Sequence, residues 1–184
     1  INNGTFTVLN NGSLIQVENG IANTGNISYQ RNTAGAPLDY VYWSSPVNGV
    51  NTPSGYIYTW DADITNTNGG QGNWVGASNT SMLPAVGYIM KDIFSRTFVG
   101  QPRNGIIQPV ITRGSYTGAD YAGTNGITIT RFNDNYNLVG NPYPSNIDAK
   151  LLYEASTNIH HDFRFWDNTV NATYTYNGSY GQYS

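Results

Sequence analysis

Hydrophobic and polar residues alternate at period two along most of the chain, in short runs closed by Gly, Asn, Asp or Pro. Alternation at this period places successive side chains on opposite faces of an extended strand. It predicts strands over residues 5–9, 13–17, 26–31, 39–44, 56–61, 87–92, 96–100, 105–112, 126–132, 137–140, 163–166 and 173–177. Strands so short and so closely punctuated leave no room for the helical crossovers of a parallel sheet. The expected fold is therefore all-β, a β-sandwich or jelly roll. One short helix is predicted. Ser145 and Asp148 make a capping signal ahead of Ala149-Lys150-Leu151-Leu152-Tyr153-Glu154-Ala155, with Leu151, Leu152 and Ala155 on one side for packing.

An internal repeat opens the chain. Asn2-Asn3-Gly4-Thr5-Phe6-Thr7-Val8-Leu9 is followed at once by Asn10-Asn11-Gly12-Ser13-Leu14-Ile15-Gln16-Val17, and Asn19-Gly20 begins a degraded third unit. Asn-Gly supplies the positive φ of a tight turn. Residues 1–24 accordingly read as a short β-repeat, either a meander or the end of a β-solenoid, ahead of a sandwich over residues 25–184. The two are separate units or one continuous unit. The start at Ile1 reads as that of a mature or excised piece of a longer protein.

Composition narrows the function classes. Lys+Arg 8 against Asp+Glu 11 gives a net charge of −3, and only 10% of residues are charged. That excludes a basic nucleic-acid footprint and a polybasic membrane patch. No stretch approaches the ~18 apolar residues of a membrane span, so no membrane insertion is expected. Zero Cys removes thiol catalysis, disulfides and thiolate metal sites together. Lys91 and Lys150 are the only lysines and Glu18 and Glu154 the only glutamates, while 25 Asn and an aromatic share of 14% dominate. The rings supply the burial that a disordered chain lacks.

Candidate chemistry is sparse. Gly and Asn make residues 66–72 and 114–125 solvent-facing loops, whereas Pro142 and Pro144 make residues 140–145 a rigid corner that admits a cis Tyr143-Pro144 bond. The only histidines are His160 and His161, and no Gly-x-Ser-x-Gly elbow occurs, so a serine triad has no partners. Nothing in the spacing of the carboxylates selects a glycosidase pair. No catalytic residue is assigned. His160-His161-Asp162 reaches one metal ion only from a loop, and reads otherwise as two surface histidines after a helix. Asp61, Asp63, Asn66 and Asn68 offer the oxygens of a structural Ca²⁺ site or, with no terminal bidentate Glu, an Asx-rich turn.

Aromatic residues are the strongest signal. Alternation puts Tyr56, Tyr58 and Trp60 on one strand face, Tyr40 and Tyr42 opposite Val41 and Trp43, Phe163 and Phe165 opposite Trp166, and Tyr174 with Tyr176. Rings in a sandwich core are one reading. The other is an exposed face, with Tyr56, Tyr58, Trp60 and Trp74 stacking on the apolar faces of sugars while Asn and Asp satisfy hydroxyls beside them.

Five motifs carry a family resemblance: Gly12-Ser13-Leu14-Ile15-Gln16, Asp39-Tyr40-Val41-Tyr42-Trp43-Ser44-Ser45-Pro46-Val47, Gly87-Tyr88-Ile89, Phe98-Val99-Gly100-Gln101-Pro102-Arg103-Asn104-Gly105 and Asn137-Leu138-Val139-Gly140-Asn141-Pro142-Tyr143-Pro144-Ser145. In that order they resemble a domain of large secreted and cell-surface proteins of flavobacteria and other Bacteroidetes, many exported by the type IX system and some of them gliding adhesins. Arg103 stands where that domain more often has Asn. The resemblance implies an outer-surface or secreted location and no catalytic residues. The motif residues read as fold determinants, with Trp43 anchoring the core and Pro142 and Pro144 setting the corner into the helix. The expected function is a non-catalytic structural or adhesive module. The alternative is a carbohydrate-binding module using exposed Trp and Tyr. Partners on either reading are extracellular or cell-surface polysaccharide or protein, and neighbouring domains of the same chain.

Overall fold

A computed structural model of the chain describes residues 4–65, 71–113, 121–122, 128–129, 136–156, 159, 163–167, 170 and 172–176. Among these the fold is all-β with one short helix. β1 (Phe6–Val8), β2 (Ile27–Asn32) and β7 (Ser95–Gly100) form a sheet in the order β1-β2-β7. β3 (Tyr40–Trp43), β6 (Tyr88–Lys91), β4 (Ile57–Thr65) and β5 (Gln71–Gly76) form an antiparallel sheet in the order β3-β6-β4-β5. Two antiparallel pairs follow, β8 (Tyr121–Ala122) with β9 (Thr128–Ile129), and β10 (Phe163–Asp167) with β11 (Ala172–Tyr176).

The two larger sheets share one core, which makes the sandwich. Val8, Ile27, Tyr29 and Phe98 from the first meet Val41, Trp43, Ile57, Tyr88 and Met90 from the second. The Trp43 and Phe98 rings join the layers at 6.0 Å between centroids. The Trp43 indole N–H, which burial would otherwise orphan, donates to the Ile93 carbonyl at 2.9 Å. Val8 lies N-terminal to residue 25 and belongs to this same core.

The first unit of the N-terminal repeat supplies β1 to the core sheet. β1 pairs with β2 in parallel, Phe6 beside Ile27 and Val8 beside Tyr29, so a coil and not a hairpin joins them. A tight turn closes between the first two units, with Gly12 N–H donating to Leu9 C=O at 2.8 Å and the positive φ of 66° falling on Asn11. The second unit, residues 13–17, is not a strand. Its polar groups bond to irregular chain elsewhere, Leu14 N–H to Pro144 C=O and the Gln16 amide to Arg103 C=O, so no ladder forms.

Two other expected strands are absent. In 105–112, Pro109 removes a ladder donor, and Ile106 and Val110 stand in solvent. In 137–140 there is one bridge, Val139 with Val86; the Asn137 side-chain amide takes the place of a strand partner by bonding both Thr112 N–H and C=O. β5, by contrast, forms from a Gly- and Asn-rich stretch because β4 supplies the pairing.

The helix α1 (Ala149–Ala155) forms where expected, with Asp148 as its cap accepting from Lys150 N–H and Leu151 N–H at 2.8 and 3.1 Å. Its packing differs from expectation. Leu151, Leu152 and Ala155 are exposed, and Tyr153 makes the contacts, edge-on against Phe163 and Tyr176.

The corner at 140–145 is braced internally and docks distant segments. Asn141 accepts from Tyr143 N–H and donates to Ser145 C=O; Ser44 donates to Asn141 C=O; and Tyr143 Oη donates to Gly105 C=O. Pro142 and Pro144 are buried in it, and the peptide bonds of the described residues are all trans. A Cβ on Gly140 would lie 2.3 Å from Ser44 Cβ, which is why this approach needs glycine.

Candidate functional site

Residues opposite one another across a sheet register share a face. In the four-stranded sheet, Trp43 with Tyr88, and Val41 with Met90 and Ile57, turn into the core. The alternate positions turn outward in rows. Trp60 and Trp74 form one, Tyr42, Ile89 and Tyr58 the next, and Tyr40, Lys91 and Tyr56 the third. The sheet thus has aromatic residues on both sides, with Trp43 8% exposed on one and Trp74 38%, Tyr42 45% and Tyr56 65% exposed on the other. Ile89, in the middle of the outer side, is only 7% exposed, because tyrosines flank it on both neighbouring strands.

The outer rings are held in place. A Cβ on Gly72 would lie 2.4 Å from Trp60 Cζ2, so the indole rests directly on the β5 backbone, where Gly72 adopts a φ of +89°. The Trp60 N–H donates to Tyr136 C=O at 2.8 Å. Trp74 then leans edge-on against Trp60 at 5.1 Å and 76°. Tyr40 and Tyr58 meet in the same manner at 6.1 Å and 60°. Lys91 Nζ lies 5.2 Å from the Tyr56 ring centroid, a cation–π contact that also limits where the lysine can reach.

Electrostatically the face is nearly neutral. In its three rows the only charged side chain is Lys91; Asp61, paired with Asn73, alternates to the other side. Partial burial, and secondarily the neighbouring Tyr58, pushes the Tyr40 phenol above its ordinary value; partial burial does the same at Tyr42. Both phenols stay protonated at neutral pH and serve as neutral donors and acceptors.

The structure brings Tyr56, Tyr58, Trp60 and Trp74 together on this face, with Tyr40 and Tyr42 joining from β3. Sequence reasoning did not single out Lys91 or Gly72. The alternation Ile89, Lys91 carried the signal for the first, and a lone glycine opposite a tryptophan is the only trace of the second. Asp61 Oδ1 accepts from Asp63 N–H at 2.9 Å, the geometry of an Asx turn. Asn66, Asn68, His160, His161 and Asp162 lie outside the described residues. Among the described residues no group of His, Asp or Glu is gathered as a metal would require.

A second concavity, about 310 Å³, lies between the N-terminal repeat and the double-proline corner, lined by Leu14, Gln16, Asn104, Ile107, Tyr143 and Pro144 among others. Its polar side chains are already committed. Gln16 donates to Arg103 C=O, Asn104 to Glu18 and Ile21 C=O, and Tyr143 Oη bonds both Gly105 C=O and Ile107 N–H. It is a junction of the motif segments, whose polar side chains bond chiefly to one another's backbone.

No helix of the described residues is long and apolar enough to cross a membrane. A family described as a domain of unknown function, DUF8693, matches residues 1–184, so the chain belongs to that family. No curated protein and no solved structure matches it.

Proposed function

We propose that this family member is a non-catalytic adhesive and structural module of a secreted cell-surface protein, and that the outer face of the sheet β3-β6-β4-β5 is its contact surface. One observation carries the reading. Tyr42, Tyr56 and Trp74 stand in solvent on the outer side of a sheet whose inner side gives Val41, Trp43, Ile57, Tyr88 and Met90 to the core. Exposed aromatic residues grouped on one face mark an interaction site rather than scattered surface apolarity. Secretion and a cell-surface location are supported by the five motifs and their resemblance to surface proteins of the Bacteroidetes. Weak contacts of this kind gain strength by repetition along a long surface protein.

The test is adhesion under flow. Beads carrying the chain, or the Trp74→Ala/Tyr56→Ala double variant, are detached from surfaces coated with polysaccharide or with protein. The native chain is expected to hold on at least one coating and the double variant to release at markedly lower shear. Equal retention of the two would overturn the assignment of this face.

A further inference from the structure

Resting on that contact surface, we propose that its ligand is a neutral polysaccharide, whose sugar rings stack on Trp74 and on the tyrosines of the neighbouring rows. Three features of the face select this chemistry.

The first is preorganisation. Gly72 seats Trp60, the Tyr136 carbonyl pins its N–H, and Trp60 in turn props Trp74 edge-on. A ring already fixed in its binding pose loses little freedom when a ligand arrives, so a weak stacking contact survives as net affinity.

The second is the kind of surface left open. The exposed rings are Tyr and Trp, each an apolar plate with a hydrogen-bonding rim, while the aliphatic centre of the face, Ile89, is covered. A protein partner would seek a contiguous apolar core here. A pyranose offers the match, a C–H face for the plate and hydroxyls around its edge for the rim. The rings are also inclined, 76° between Trp60 and Trp74 and 60° between Tyr40 and Tyr58. They make no flat slab for one large planar ligand. Separate tilted plates, spread over four strands or about 14 Å of sheet width, suit a twisted chain of separate sugar rings.

The third is charge. An anionic polymer needs several cations to displace its counterions. At the described strand rows of this face the one charged side chain is Lys91, drawn over Tyr56, and the nearby Arg164 is likewise drawn over the ring of Tyr136. Neutral phenols are left to do the recognition.

Affinity electrophoresis of the full chain in gels cast with laminarin, galactomannan, xyloglucan or the anionic alginate tests this. We expect retardation in at least one neutral gel and none specific to alginate. Loss of Trp74 should weaken the apparent affinity roughly tenfold, as expected for losing a well-packed aromatic contact. Tyr56→Ala should weaken it less and Tyr143→Phe, at the distant corner, not at all. Tyr56→Ala supplies the same test should circular dichroism show Trp74→Ala unfolded. No retardation in any neutral gel, with adhesion under flow still lost in the double variant, would overturn the ligand class and leave the contact surface standing. Binding to alginate alone would overturn the charge argument. Retardation unaffected by either substitution would overturn the site.

Discussion

Arg103 is buried, 5% exposed, yet it meets no carboxylate among its hydrogen-bond partners. Its guanidinium donates to the Ser45 and Met82 carbonyls and to Asn48 Oδ1, and desolvation lowers its pKa from the usual arginine value. Carbonyl dipoles therefore do the work of a counter-ion, and one side chain ties the end of β3 to two loops. Arg103→Met would strand two buried carbonyls, at a cost of about 2–4 kcal/mol. Arg103→Lys would recover only part, since a point charge cannot span three acceptors. Urea denaturation measures both, and a loss under about 0.5 kcal/mol for Met would contradict the role. Trp43→Ala, which opens a cavity between the layers and frees the Ile93 carbonyl, should cost about 3 to 5 kcal/mol by the same measurement. At this scale the sequence showed which rings alternate but not which set turns inward. Tyr42 and Trp43 are adjacent, and only contact with Phe98, far along the chain, decides between them.

Most strands were legible from alternation: β2, β3, β4, β6, β7, β10 and β11 fall where period two placed them. The helix was legible too, because an Asp cap acts locally. What was not legible depends on neighbours. β5 carries Gly72 and Gly76 and has poor strand propensity of its own; it exists because β4 pairs with it and Trp60 lies on Gly72. Gly72→Ala tests this dependence. The new Cβ would meet the indole and impose an unfavourable φ, costing about 1–3 kcal/mol. It should also turn Trp60 away from Trp74. Loss of the near-ultraviolet circular dichroism couplet of two close indoles is the expected signature, and an unchanged couplet would mean the glycine is not a seat for the ring.

Across the molecule, charge contributes little and tyrosine much. Among the described residues the one ion pair is Lys150 with Glu154 on an exposed helix, 3.8 Å apart, which contributes little to stability. Tyr29, Tyr40 and Tyr42 instead have phenols raised from the ordinary 10.0 by desolvation. Above that value the unfolded chain loses protons that the folded chain keeps, so stability is complete below pH 10.0 and declines as pH rises through the raised folded values. Thermal melts across alkaline pH should show Tm falling together with the appearance of tyrosinate absorbance. A Tm that stayed level while tyrosinate formed would contradict the partial desolvation of these phenols.

The account turns on one sheet with two aromatic sides, one for folding and one for contact. Oxidative footprinting of the native chain read by mass spectrometry, tryptophan by tryptophan, tests that most directly. Trp74 is expected to oxidise readily, Trp60 more slowly and Trp43 only on unfolding. Modification of Trp43 as fast as Trp74, or protection of Trp74 in the isolated chain, would contradict it.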